Sequence, residues 1–135
     1  NFTRWWHKHI QIWCGNIFDL NLLDVDRNKL IYDSAALTAF DADERQTYVD
    51  HFAKILPMRT QIMLMTTETA DVQYTDSVAR IDSEVKKLYQ ADYRIELLHG
   101  QDSLKIDPEF PQLPARMLEE KIYLMHNRSH HRNHD

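Results

Sequence analysis

Four histidines crowd the C-terminus of this chain, at His126, His130, His131 and His134, and form its densest set of potential metal ligands. Zinc sites need ligands at fixed spacing, each ring oriented by a second hydrogen bond. The polar terminal stretch HNRSHHRNHD supplies neither, so adventitious metal affinity is expected and a functional metal site is not. Met58, Met63 and Met65 offer soft sulfur, but methionines around one apolar run read first as core packing. Asp19 and Asp33 lie near expected strand ends, where a carboxylate either orients a substrate or caps the following turn. Trp5, Trp6 and Trp13 could form a stacking surface; their large area reads them instead as strand and core residues. The remaining candidate is a backbone feature. In IWCGNIFDL, residues 12–20, an apolar strand ends at Gly15-Asn16, a small-residue turn. In α/β proteins ligands lie in the crevice outside the carboxyl ends of the strands.

These groups need a framework to position them. Ile10, Ile12, Trp13 and Cys14 predict a strand over about 9–14, followed by a turn and a polar loop through residues 24–28. Residues 29–32 predict a second short strand, ending at Asp33-Ser34. Asp41 with Glu44 three residues on forms an expected capping box. Behind it Tyr48, Val49, Phe52, Ala53 and Leu56 recur at helical spacing until Pro57 stops the helix. Residues 61–66 are apolar on both faces, as in a central strand covered by helices on each side. A loop over 67–76, an amphipathic helix through Val78, Ile81, Val85, Leu88 and Tyr89, and a strand over 93–98 follow. Three prolines between Asp107 and Pro114 predict an extended connection, and 118–125 predict a final strand antiparallel to its neighbours. Alternation of strands and helices argues an α/β fold with a mostly parallel sheet.

Composition bounds the function classes. A chain of 135 residues is one domain, expected over 1–125 with a His-rich, unordered tail at 126–135. The net charge of −5 argues against general nucleic-acid binding, which needs a basic footprint. No apolar run approaches the roughly 20 residues of a membrane helix, and Trp5-Trp6-His7-Lys8 interrupts any signal-peptide pattern. Cys14 is the sole cysteine, which excludes an intrachain disulfide and fits a reducing cytoplasm. Only two glycines occur, Gly15 and Gly100, so no glycine-rich phosphate loop exists.

Four stretches stand in a telling order: IQIWCGNIFDL (10–20), LIYDSAALTAFDADERQTYVDHFAKILP (30–57), IMLMTTE (62–68) and LEEKIYLM (118–125). Each alone is weak, but together they resemble the C-terminal two-thirds of the thiopurine S-methyltransferase family, its bacterial members above all, from about Phe2 to Met125. The resemblance implies an incomplete class I methyltransferase (Rossmann-like) sheet, mostly parallel, with one antiparallel strand near the C-terminal end. It implies S-adenosylmethionine as cofactor and a small-molecule methyl acceptor: a thiol, a thiopurine, or an oxidised selenium or tellurium species. Carried over, Asn16 and Ile17 contact the adenine of the donor, and Gly15 allows the backbone to come close. Ser34 stands where the family has an arginine near donor and substrate. The family's N-terminal third, with its glycine-containing loop and ribose-binding acid, has no counterpart here, which implies a truncated form. The alternative reading is a non-catalytic α/β module that binds a partner or itself. Without the first two strands of the family, strand 29–32 becomes an apolar sheet edge, which predicts a homodimer or larger assembly.

Overall fold

The computed structural model describes residues 1–34, 36–71, 84–105, 108–109 and 116–128. It opens on a hairpin that the sequence reading did not anticipate. β1 (Thr3–His7) pairs antiparallel with β2 (Ile10–Cys14), setting Trp5 opposite Ile12 and Trp6 opposite Gln11. The two-residue connection requires positive φ, and Lys8 adopts it at 51°. Aromatic and β-branched side chains favour the pleat, but this ribbon is not a core element: Trp5 and Trp6 are 53% and 65% exposed. The tryptophans are strand residues as expected, and for these two the core placement is corrected.

A 3-10 turn (Ile17–Asp19) and the short helix α1 (Leu22–Val25) follow, where a turn and loop were expected over 15–28. The local cause is a capping box at Asn21. Its side chain accepts from the Leu23 and Asp24 amides, while Asp24 accepts from the Asn21 amide at 3.0 Å. Helix α3 (Ala42–Ile55), preceded by α2 (Ala36–Ala39), starts at Asp41 as expected, but the Asp41 side chain makes no cap hydrogen bond. The Asp41 carbonyl accepts from the Glu44 and Arg45 amides, and acidic Asp43 and Glu44 meet the positive end of the helix dipole.

The main sheet has the order β3-β4-β6-β5, with β3 at Leu30–Asp33, β4 at Gln61–Asp71, β5 at Tyr93–Lys105 and β6 at Arg116–Asn127. β3 and β4 are parallel, and β6 is antiparallel to both β4 and β5, so three strands share a direction and β6 alone is reversed. The fold is therefore mixed α/β. β4 and β5 run well past the expected 61–66 and 93–98, and β6 reaches Asn127, two residues into the expected tail; His130, His131 and His134 lie outside the described residues. Of the helix expected through residue 89, residues 84–89 are described and helical (α4), while Val78 and Ile81 lie outside the described residues.

One core gathers the buried faces. Tyr48, Val49, Phe52 and Ala53 of α3, Val85 and Tyr89 of α4, and Val25 and Leu37 of the short helices meet Ile62 and Leu64 of β4, Tyr93 of β5, and Tyr123 and Met125 of β6. Strand alternation turns Met63 and Met65 to the opposite face, where they are half-buried. The helices of the described residues thus cover one face of β4, not the two expected. No helix among the described residues is long and apolar enough to cross a membrane.

Candidate functional site

The turn after β2 and the end of β3 carry the four candidate residues. Gly15 follows Cys14 directly, and its lack of a side chain is needed: a Cβ there would stand 2.6 Å from Phe2 Cδ1 and 2.9 Å from the Asn1 carbonyl oxygen. Its φ is not positive, so the requirement is one of space. Close approach to Gly15 is made by the chain's own first two residues, with Phe2 also packing on Trp13 at 5.7 Å between ring centres. Asn16 caps the 3-10 turn. Its Oδ1 accepts from the Phe18 amide at 3.0 Å and its carbonyl accepts from the Asp19 amide at 2.9 Å. Ile17 is half-buried and packs on the core. Gly15, Asn16 and Ile17 thus form one continuous turn.

Ser34 is exposed at the end of a different strand. Its neighbour Asp33 is the more organised group. Asp33 is 5% exposed; its Oδ1 accepts from the Ala36 amide at 3.1 Å and its Oδ2 from the Tyr48 hydroxyl at 2.6 Å. Asp33 therefore serves as a cap, as one of the two sequence readings held, but it is buried and bonded to a helix. Burial pushes the Tyr48 hydroxyl far above the usual tyrosine range, and the Asp33 charge adds to the shift. Tyr89 is raised for the same two reasons in the same order. Around neutral pH both tyrosines are neutral, and Tyr48 donates a hydrogen bond to Asp33. The Asp33–Tyr48 pair escaped sequence reasoning, because nothing local tells that position 48 of a helix faces position 33 of a strand.

An aromatic row joins the two candidate loci. Phe18, in the turn after β2, packs on Phe40 at 5.8 Å; Phe40 packs on Tyr48 at 5.0 Å, and Tyr48 holds Asp33. His51 sits edge-on to Phe18 and Phe52, with Nε2 buried and without a hydrogen-bond partner among the described residues. The link from the 15–17 turn to the end of β3 is thus apolar and indirect. An open cleft of about 840 Å³ lies beside the hairpin, lined by Arg4, Gln11, Trp13, Leu23 and Asp24 among others, and none of the four candidates lines it. Arg4 stacks on Trp13 there, 3.9 Å from the ring centre.

His126, expected in an unordered tail, is in β6. Its Nδ1 meets Gln61 Nε2 at 3.0 Å and its Nε2 meets Glu96 at 3.2 Å, so both ring nitrogens are engaged by protein. No group of three or more potential metal ligands occurs among the described residues.

The family model for thiopurine S-methyltransferase matches residues 1–128. The chain belongs to the thiopurine S-methyltransferase family. It is 35% identical over 108 residues to the thiopurine S-methyltransferase of Marinobacter nauticus, covering 79% of this chain and 49% of that protein. With the enzyme of Stutzerimonas stutzeri it shares 34% identity over 123 residues, 90% of this chain and 52% of the relative. The Nitrosospira multiformis enzyme is 31% identical over 129 residues, 95% and 59% of the two chains. The chain thus spans about half the length of these curated relatives.

Proposed function

We propose that the chain carries the C-terminal part of a class I methyltransferase scaffold dependent on S-adenosylmethionine. The reaction of this scaffold is methyl transfer to a small-molecule thiol, a thiopurine, or an oxidised selenium or tellurium species. Strand order is the observation that carries the reading. The class I sheet runs 3-2-1-4-5-7-6, and β3-β4-β6-β5 with β6 alone reversed follows its 4-5-7-6 portion.

When bound, the donor supplies a methyl already activated on a sulfonium, so the protein's task is alignment more than acid–base chemistry. In this reading Gly15, Asn16 and Ile17 hold the adenine edge, and Ser34 belongs to the donor site at a position near both donor and acceptor. The fit is partial. Phe2 and Asn1 occupy the space beside Gly15, and the Asn16 side chain is engaged by the Phe18 amide. Ser34 offers a neutral hydroxyl, which can make a hydrogen bond but cannot pair with an anionic acceptor as a cation does. A single turn is a small fraction of a nucleoside site, so this chain alone binds the donor weakly.

Calorimetry and amide NMR with S-adenosylhomocysteine test the reading together. The expected result is no saturable heat at micromolar ligand, with shift changes at millimolar ligand centred on Gly15, Asn16 and Ile17. A low-micromolar Kd would overturn weak binding, and shifts that avoid the 15–17 turn would overturn its role as the adenine edge.

A further inference from the structure

Helix α3 reaches both halves of the candidate site through one side chain. At its polar end the Tyr48 hydroxyl donates to Asp33 Oδ2 at 2.6 Å, and Asp33 Oδ1 accepts from the Ala36 amide at 3.1 Å. These two bonds close the turn that carries Ser34 at the end of β3. The Tyr48 ring meets Phe40 at 5.0 Å between ring centres, and Phe40 meets Phe18 at 5.8 Å. Phe18 directly follows the 15–17 turn, and its amide donates to Asn16 Oδ1 at 3.0 Å. The row is braced at its middle. Arg45 Nε donates to the Phe40 carbonyl at 3.0 Å while Nη1 donates to Glu84 at 2.8 Å, and Phe52 stands edge-on to Tyr48 at 5.1 Å. His51, one helical turn past Tyr48, stands edge-on to Phe18 at 5.4 Å.

We propose, resting on the reading of these two turns as parts of one donor site, that Tyr48 is a positioning residue: its ring and its hydroxyl fix the 15–17 turn and the Ser34 turn relative to each other. Methyl transfer from a sulfonium depends on alignment, so the spacing of the groups that hold donor and acceptor matters more than the acidity of any one of them. The two turns end different strands, and in the row from Phe18 through Phe40 and Tyr48 to Asp33 every member touches the next. Tyrosine is suited to both tasks. Phenylalanine would keep the ring contacts but could not bond to a carboxylate, and a serine hydroxyl would bring no ring. A short hydrogen bond to a carboxylate is directional, and close-packed rings transmit strain, so a displacement at one end of the row is carried to the other.

Amide NMR of the full chain tests the link first without ligand. Phe18→Leu perturbs one end of the row, and the Ser34 and Ala36 amides report at the other. The shift changes it causes there should fall at least threefold when Tyr48→Phe is also present, because the hydroxyl end is then cut while the ring remains. Leu88→Ala, a core change on α4 outside the row, should leave them as they were, which separates positioning from loss of stability. Phe40→Leu serves as the perturbation where Phe18→Leu does not fold. Titration with S-adenosylhomocysteine, followed at Asn16 and Ile17, adds the functional arm. Tyr48→Phe should weaken the millimolar binding at least threefold, and Leu88→Ala should not. Shift changes at Ser34 and Ala36 that are indifferent to the Tyr48 hydroxyl, or absent after both row variants, would overturn the proposal. So would an affinity unchanged by Tyr48→Phe or lowered equally by Leu88→Ala. Ligand shifts that avoid residues 15–17 would overturn the adenine edge and with it the role in methyl transfer, while the ligand-free arm still decides whether Tyr48 joins the two turns.

Discussion

Tyr48→Phe removes one oxygen from the core and nothing else, so its effect isolates the Asp33–Tyr48 hydrogen bond. Both residues are buried, at 5% and 4% exposure, and their oxygens are 2.6 Å apart. A hydrogen bond to a charged group contributes about 1.5–3 kcal/mol, and stranding its buried partner sits at the upper end of that range. The phenylalanine ring keeps the Phe40 and Phe52 contacts, so no cavity cost is added. After the change, Asp33 keeps the Ala36 amide at 3.1 Å. The expected loss is therefore about 2–3 kcal/mol at pH 7, a large share of the roughly 5–15 kcal/mol that holds a domain together. Urea unfolding followed by far-UV circular dichroism is the suitable assay, because exposed Trp5 and Trp6 report poorly on the core. A second readout comes from alkaline pH. Tyrosine ordinarily titrates near pH 10, and burial raises Tyr48 and Tyr89 above that in the folded state. Above pH 10 the unfolded chain binds fewer protons than the folded one, so stability falls as pH rises; below about pH 9 it is fully present. Each such tyrosine contributes a slope of about 1.4 kcal/mol per pH unit. Tyr48→Phe should lose its share of that slope while being less stable at neutrality. A neutral-pH loss below about 0.5 kcal/mol, or an unchanged alkaline slope, would refute the reasoning.

Two further perturbations probe the surroundings of the candidate site. Gly15→Ala should push residues 1–2 off the turn, because the new methyl meets Phe2 and the Asn1 carbonyl; the expected signs are a changed near-ultraviolet tryptophan spectrum as Phe2 leaves Trp13, and a loss of about 1 kcal/mol. Arg45 donates from Nη1 to Glu84 at 2.8 Å and from Nε to the Phe40 carbonyl at 3.0 Å, tying α3 to α4 and to the aromatic row. A double-mutant cycle of Arg45→Ala with Glu84→Gln should yield a coupling of about 0.5–1 kcal/mol that shrinks in high salt; additive losses would show that the pair contributes nothing.

Much of the fold was readable from pattern alone where a pattern was long and locally consistent. The spacing of Tyr48, Val49, Phe52 and Ala53 identified α3, Pro57 its end, and the apolar run at 61–66 the start of β4, because burial of one face imposes a period on the sequence. The antiparallel direction of the last strand was anticipated as well, since the three prolines before it predict an extended connection and no intervening helix. The family resemblance rested on residues in order along the chain, and the match over residues 1–128 agrees with it. Short elements were less legible. The hairpin depends on Lys8 accepting positive φ, and α1 on a box made by Asn21 and Asp24, neither of which announces itself against a polar background. What only tertiary structure decided is which residues share a space. It brought Phe2 against Gly15, buried Asp33 under the Tyr48 hydroxyl, drew His126 into the sheet between Gln61 and Glu96, and left the side chains of Leu30 and Tyr32 exposed. Periodicity reports how much of a residue is buried. Which partner buries it depends on long-range register, and a single sequence carries no local signal for that.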